Sequence, residues 1–317
     1  MSVKLEIERM KSCARAGRRA AIALLLAAPA PALASGLFSH LAPHAPAKAA
    51  PTGSAAVLAR QIRDALDERR LVDAGNLLDQ ANVGNVKSAE LTTLRGDLML
   101  LRGRFPEAID LYKTVDADPT QRAEALEGEG LAKSLLGRSD DALTDLKAAI
   151  ALDKTRWKAW NALGREYDLR RDWPKAKAAY ATALAAPGAN TAVVLNNRGY
   201  SQLLQNQATL AAADFVAALD KDPSLGAART NLRIALAVEG HYVRASTTGV
   251  GDDRAAVLNN VGLAAAVRGD YIQADKLLNA AIAAKGQYYA RAAENLELAH
   301  DLAARSDADT KALDVSH

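Results

Sequence analysis

Side chains that commonly do chemistry in proteins are sparse in this sequence of 317 residues. The carboxylates of Asp140 and Asp141 stand together at a predicted helix start, where negative charge complements the helix dipole. His40 and His44 are four residues apart, but surrounding prolines disfavour the helix that a metal pair would need. The chain contains no HExxH, phosphate loop, GxSxG or Gly-rich dinucleotide turn. The sequence therefore predicts no catalytic residue, no metal site and no cofactor. The histidines lie far apart, at His40, His44, His241, His300 and His317.

Residues 1–34 have the pattern of a secretory signal. Basic residues precede an apolar run at 20–28, and an A-x-A cleavage site ends at Ala34. The run is shorter than the roughly 20 apolar residues that span a bilayer. Glutamates before Met10 are atypical of such a signal, which leaves Met1 and Met10 as alternative starts. We expect export to the periplasm and cleavage near Ala34.

Cysteine content and charge refine this expectation. The single cysteine, Cys13, precedes the apolar run, so no cysteine follows the run as lipidation of a lipoprotein requires. Residues 1–34 contain six basic and two acidic residues, a net +4 against +3 for the whole chain, which leaves −1 after cleavage. The basic pI therefore belongs largely to the predicted signal, and it indicates neither nucleic acid nor anionic lipid as a partner.

One stretch shows how the rest of the chain is organised. Residues 157–187 can be numbered as a helix–turn–helix unit that starts at Trp157. Large side chains at positions 4, 7, 11 and 24 of this unit would fill the space between two antiparallel helices. Small residues at positions 8, 20 and 27 would lie where the two backbones come closest. This is the pattern of the 34-residue tetratricopeptide repeat (TPR).

The pattern recurs along the chain. Position 20 is alanine in every unit, at Ala74, Ala108, Ala142, Ala176, Ala211, Ala245 and Ala274. Position 8 is glycine in five units, at Gly96, Gly130, Gly164, Gly199 and Gly262, and position 15 is a turn glycine in four, at Gly103, Gly137, Gly240 and Gly269. We therefore predict an all-α TPR solenoid wound as a right-handed superhelix. Its seven units begin at Ala55, Ala89, Ala123, Trp157, Ala192, Gly226 and Ala255.

The sixth unit is predicted to be shortened. Its second helix begins at Val243 and meets TTGVGDD at 247–253, so the seventh unit starts 29 residues after the sixth. Residues 247–253 are a candidate hinge. A final helix at 288–304 would cap the array at 55–304, because a last repeat otherwise exposes an apolar face. Residues 35–54 are predicted to be a flexible linker and 305–317 a polar tail.

Three segments of the later units carry a further resemblance. They read LNNRGY from Leu195, NLRIALAVEGHYVRA from Asn231 and NNVGLAAAVRGD from Asn259. With the shortened helix between them, they resemble the TadD-type TPR proteins of Tad (Flp) pilus assembly. The resemblance covers roughly 89–304 and implies an assembly factor for a pilus and its secretin. Members of that group are usually lipoproteins, whereas this chain has no cysteine in the position for lipidation.

The repeat numbering also predicts a partner-binding groove. In a TPR superhelix, positions 2, 5, 9, 12 and 13 of each first helix line the concave face, and here they change from charged to apolar along the chain. The predicted partner-binding residues are Asn161, Arg165, Asn196, Tyr200, Leu204, Ile234, Asn259 and Leu263. Asparagines would hold the backbone of a bound segment and apolar side chains would bury its apolar side. An alternative is that positions 12 and 13 only pack between units. Asn197, Asn231 and Asn260, at position 6, are interpreted as structural.

These observations favour a non-catalytic periplasmic scaffold that binds a protein or peptide segment, such as a secretin or another pilus-assembly component. Alternatives are another cell-envelope adaptor, for cytochrome maturation or cell-wall machinery, and a TPR subunit that positions the substrate of an enzyme. A homo-oligomer and cover of the groove by the protein's own linker are also left open.

Overall fold

The computed structural model describes residues 54–115, 117–249, 253–285 and 289–314. Within these ranges the chain forms fifteen helices and no strand. The predicted signal, its cleavage near Ala34 and the linker up to residue 53 lie outside the described residues. The described chain separates into two compact blocks, an N-terminal block that ends at Arg198 and a C-terminal block that begins at Gly199.

Helices of the N-terminal block follow one another in pairs, each pair forming one repeat. The pairs are α1 (Ser54–Asp67) with α2 (Leu71–Val83), α3 (Ala89–Leu101) with α4 (Phe105–Lys113), α5 (Arg122–Leu135) with α6 (Ser139–Leu152), and α7 (Trp157–Leu169) with α8 (Trp173–Ala185). The boundary between the blocks falls within α9 (Thr191–Leu204).

The C-terminal block continues the alternation with one exception. It contains α10 (Ala208–Lys221), α11 (Gly226–Val238), α12 (Tyr242–Thr247), α13 (Arg254–Arg268), α14 (Tyr271–Lys285) and α15 (Ala290–Asp314). Its helix α12 has only six residues, against 14 and 15 for α10 and α14, the other second helices of this block.

Alanine and glycine allow the two helices of a repeat to approach closely. The seven alanines at position 20 are each 0% exposed. Glycines at position 8 pack against the large residue at position 24 of the same repeat. A Cβ atom on Gly164 would lie 2.6 Å from Cε1 of Tyr180, and one on Gly199 would lie 2.7 Å from Cε1 of Phe215. No larger side chain fits there, which is why the sequence keeps glycine opposite an aromatic ring.

The turn between the two helices of a repeat has the same backbone conformation throughout. Position 15 has a positive φ in all seven repeats, between 57° and 91°. Glycine, which has no Cβ to clash in this region, occupies four of these positions. The other three are occupied by Arg69, Arg171 and Asn206, so two arginines adopt a left-handed conformation that is unfavourable for a residue with a long side chain.

Side-chain caps fix the start of several helices. Oγ of Ser88 accepts a hydrogen bond from the backbone N–H of Leu91 at 3.1 Å, and Asp253 accepts from Ala255 at 3.0 Å. Connections between repeats use aspartate turns, in which Asp118, Asp153 and Asp222 each accept from the backbone N–H two residues on. These local bonds satisfy backbone groups that a helix end leaves without partners.

In the sixth repeat, where the second helix ends early, the small residue of position 8 and the large residue of position 24 have exchanged places. Position 8, glycine in five repeats, is Arg233, and position 24, elsewhere large, is Gly249 with a φ of +86°. The buried guanidinium of Arg233 takes the space that a ring would fill. Its Nε and Nη2 donate to the carbonyl oxygen of Thr248 at 2.8 and 2.5 Å. The early stop of this helix agrees with the prediction.

The C-terminal helix differs from the prediction at its end. A helix at 288–304 followed by a polar tail was expected, whereas α15 extends to Asp314. Residues 305–314 contain no glycine or proline, and their alanines and lysine are good helix formers. Polar composition alone therefore gave no reason for the helix to end at Ala304.

Candidate partner-binding face

Burial divides the eight predicted partner-binding residues into two groups. Arg165, Tyr200 and Leu204 are partly exposed. The other five are buried, at Asn161, Asn196, Ile234, Asn259 and Leu263. Only the first group presents side-chain surface that a partner could contact without rearrangement.

Asparagines at positions 5 and 6 bond to one another between consecutive repeats. Nδ2 of Asn197 donates to Oδ1 of Asn161 at 3.1 Å, and Nδ2 of Asn295 donates to Oδ1 of Asn259 at 2.8 Å. The two asparagines of each pair are 36 residues apart in the sequence. Each pair joins one first helix to the helix that follows the same repeat. We name this arrangement the asparagine ladder. It agrees with the structural interpretation of Asn197 and extends that role to position 5.

The ladder corrects the role expected for Asn259. This residue is 1% exposed, and its Nδ2 also donates to Oδ1 of Asn260 at 3.1 Å. Donor and acceptor are therefore both used within the protein, and the amide is not available to hold a partner backbone. The helix that covers it is α15, which supplies Asn295.

Apolar residues of the predicted groove are also packed inside the C-terminal block. Ile234 and Leu263 belong to the same buried cluster as Leu298 of α15. Residues at position 12 of the first helices in this block are fully buried, at Leu203, Ala237 and Ala266. At position 12 the packing alternative is thus the correct one. Four apolar residues at positions 9 and 13 remain partly exposed, namely Tyr200, Leu204, Val238 and Val267.

Charged first-helix residues of the N-terminal block form a network among themselves. Arg63 pairs with Glu90 at 2.8 Å and with Glu124 at 3.1 Å, and so joins the first repeat to the third. Arg156 pairs with the same Glu124 at 3.4 Å and with Glu127 at 3.1 Å. Glu124 and Glu127, at positions 2 and 5 of the third repeat, are therefore already paired within the block.

Two carboxylates beside this network have unusual protonation. Burial raises the pKa of Asp67 to about 6, although the positive charges of Lys158 and Arg63 oppose the shift. Burial and then the charge of Glu124 raise the pKa of Asp97 to about 6, and the hydroxyl of Tyr112, which donates to Asp97 at 2.7 Å, opposes the increase. Desolvation disfavours the charged form of each carboxylate.

Arg165 differs from the other arginines on these first helices. It is partly buried at position 9 of the fourth repeat, and its Nη1 is shielded from solvent. Among the described residues this Nη1 atom has no hydrogen-bond acceptor. A buried guanidinium nitrogen without an acceptor is costly, so a carboxylate or carbonyl oxygen of a partner would stabilise it.

The carboxylates and the histidine considered first in the sequence have partners at the surface of the protein. Asp140 and Asp141 lie in the first turn of α6, where Arg170 pairs with Asp140 and Arg138 with Asp141. His300 Nε2 lies 2.9 Å from Oδ1 of Asp275. Across the described ranges, no three His, Cys, Asp or Glu residues come together as metal ligands would. Nor does any helix there combine the length and apolar content needed to span a bilayer.

Comparison with known proteins identifies the fold class. The chain resembles TTC0263, a thermophilic TPR protein of Thermus thermophilus, with a TM-score of 0.52 and 21% identity over 58% of this chain and 99% of that one. It also resembles a chain of the Cut9–Hcn1 hetero-tetramer of the APC/C, with a TM-score of 0.57 and 17% identity over 78% of this chain and 48% of that one. The protein is thus an all-α TPR array. No protein-family profile and no curated protein matches the sequence.

Proposed function

We propose that the protein is an exported, non-catalytic adaptor that binds an apolar segment of another protein on the first helices of its C-terminal block. The observation that carries the proposal is the row of four partly exposed apolar residues, Tyr200, Leu204, Val238 and Val267. Each packs on one side against the block's core and is partly exposed on the other. An amphipathic or extended segment laid along this row would bury its apolar side.

Charge distribution supports the C-terminal block over the N-terminal block as the main site. In the N-terminal block, Arg63 and Arg156 already pair with three glutamates of the first helices, Glu90, Glu124 and Glu127. A partner there would have to displace existing ion pairs, whereas the apolar row offers surface without that cost. Tyr200 is the best anchor, since aromatic residues dominate binding hot spots at about 2 kcal/mol or more.

The biological process is proposed from the sequence resemblance. Segments from 195 to 270 are similar to TadD-type proteins of Tad (Flp) pilus assembly, and the shortened sixth repeat lies between them. We propose that the partner is a secretin or another component of such a pilus or secretion system. The predicted signal at 1–34 supports export, and the lack of a cysteine after its apolar run supports a form without a lipid anchor.

Crosslinking in cells tests the site and the partner together. A photoreactive amino acid at Leu204 of the full chain should crosslink one major protein, which mass spectrometry then identifies. The same amino acid at Ile272, an exposed apolar residue outside the row, is the control. A secretin or pilus component supports the Tad proposal, and a cytochrome-maturation or cell-wall enzyme contradicts it.

Binding of the identified partner then decides between the two blocks. Tyr200→Ala should weaken binding by tenfold or more, and Arg165→Ala by less, with circular dichroism showing that both variants stay folded. Loss of binding in Arg165→Ala with full binding in Tyr200→Ala would place the site in the N-terminal block instead. Export is checked separately by the intact mass of the periplasmic protein, which should begin at Ser35. A membrane species that retains residues 20–34 would contradict cleavage.

A further inference from the structure

A second groove lies within the C-terminal block, between α10 and the α11–α12 pair. Its volume is about 610 Å³. One wall is a stripe of α10 whose residues recur every three or four positions, at Thr209, Ala212, Ala213, Val216, Ala217 and Asp220. This spacing places them on one face of the helix over about three turns. Leu232 and Leu236 of α11 form the floor.

The early end of α12 accounts for this groove. Helix α12 stops at Thr247, Arg233 donates to the carbonyl oxygen of Thr248, and Gly249 follows with a φ of +86°. Full-length second helices of the block have 14 or 15 residues. Among the described residues, Arg244 is the last residue of α12 that lines the groove, whereas α10 lines it as far as Asp220.

The walls of the groove have the chemistry of a helix-binding surface. Three alanines on α10 allow close approach of a backbone, and Val216 is 43% exposed although it is aliphatic. The titratable side chains of the groove are Asp220 on α10 and Glu239, His241 and Arg244 on the opposite side, where Glu239 accepts a hydrogen bond from Oγ1 of Thr209. Within the part of the chain that the structure describes, neither the Asp220 nor the Arg244 side chain has an ion-pair or hydrogen-bond partner.

We propose that this groove receives an amphipathic α-helix of a partner protein. The helix presents an apolar stripe to Val216, Leu232 and Leu236, with a basic residue facing Asp220 and an acidic residue facing Arg244. It lies where the missing turns of α12 would run, and so completes the sixth repeat from outside. A volume of this size accepts the few side chains that one face of a helix presents.

A designed peptide tests this proposal without knowledge of the natural partner. The probe is a fluorescein-labelled 14-residue helix with leucines on one face, lysines along one flank and glutamates along the other. Fluorescence anisotropy with the full chain should show saturable binding. Val216→Glu should weaken it at least tenfold. Ile272→Glu, a matched change at an exposed apolar residue of α14 outside the groove, should leave it unchanged.

Charge reversal separates this site from other apolar surfaces. The double variant Asp220→Lys, Arg244→Glu should bind the probe more weakly. A second probe, in which the lysines and glutamates of the two flanks are interchanged, should restore binding. Tyr200→Ala, in the apolar row of the proposed function, should not change binding of the probe. The test of this groove is therefore independent of the test of the proposed function. Equal binding of a scrambled peptide, or of the probe to wild type and Val216→Glu, would overturn the proposal. So would sedimentation as a dimer that Val216→Glu disrupts, because the occupant would then be a second copy.

Discussion

Arg233 and Gly249 contact each other where the other repeats place a glycine against a large side chain. A Cβ atom on Gly249 would lie 2.6 Å from Nη2 of Arg233. Arginine and glycine have exchanged the usual positions of small and large residues, so the space between the helices stays filled although α12 has ended. The guanidinium also binds the carbonyl oxygen of Thr248, which the end of the helix would otherwise leave without a donor.

This contact predicts that Arg233→Ala lowers the free energy of unfolding. The variant loses the packed stem of the buried arginine and both donors to the partly buried carbonyl oxygen of Thr248, which together should cost about 1–3 kcal/mol. Urea unfolding of the C-terminal block, followed by circular dichroism, should show the loss. Arg254→Ala, at an exposed arginine in the first turn of α13, is the control and should change stability little. Equal stabilities would mean that α12 ends for another reason.

The exchange could have been found from the sequence, because both residues occupy numbered repeat positions. The numbering located the seven buried alanines at position 20 and the glycines at position 8, since each is fixed by close approach of two helices within one repeat. It also found the short α12, because two glycines follow Thr247 closely. Local constraints of this kind are visible in the spacing of residues.

Burial of the asparagines could not be predicted in the same way. Asn259 lies on the first-helix face that the numbering assigns to a groove, but its partner Asn295 is 36 residues away on α15. Whether such an amide faces solvent or another repeat depends on how closely consecutive repeats pack. The periodicity of a single sequence does not give the distance between consecutive repeats.

Turn residues with positive φ offer a stabilising substitution. Arg171 has a φ of 57° and an exposed side chain, while the same position is Gly137 in the preceding repeat. Arg171→Gly should increase the free energy of unfolding by about 0.5–1 kcal/mol, because the left-handed conformation costs a residue with a side chain about 1–2 kcal/mol and glycine gains some entropy when unfolded. Thermal melts measure the change. Gly137→Ala is the converse control and should destabilise the chain. A lower melting temperature for Arg171→Gly, or a higher one for Gly137→Ala, would contradict this prediction.

Helix packing at position 20 gives a matched pair of larger substitutions. Ala176 is 0% exposed at the close contact between α7 and α8, whereas Ala178 on the same helix is exposed. Ala176→Leu should lower stability by about 1–3 kcal/mol, because extra methylenes overpack a filled core. Ala178→Leu changes the same number of atoms and should be nearly neutral. Equal melting temperatures of the two variants would show that the repeat numbering is out of register.

The raised pKa values of Asp67 and Asp97 predict that the N-terminal block is more stable in mild acid than at neutral pH. Both have a folded-state pKa raised to about 6 from an ordinary value of 3.8, chiefly by burial. A raised pKa stabilises the folded state fully below the unfolded pKa, and this stability is lost as pH rises through about 6. Carboxylates with lowered pKa values, such as Asp118 and Asp153, lose their contribution only as pH falls below about 4.

The window from pH 5 to pH 7.5 therefore reports on the carboxylates with raised pKa values, which are Asp67, Asp97 and Glu129, whose pKa is also raised by burial. Urea midpoints of the full chain should fall most steeply near pH 5, between the unfolded pKa of 3.8 and the folded pKa of about 6, and should level off above about pH 7. Asp97→Asn removes one titrating group while its amide oxygen can still accept from Tyr112, so the slope should decrease. Asp79→Asn, at an exposed residue of α2, should keep the wild-type slope. A midpoint that stays constant between pH 5 and pH 7.5 would contradict this prediction, because it would mean that Arg63 and Lys158 offset burial and keep both carboxylates charged throughout.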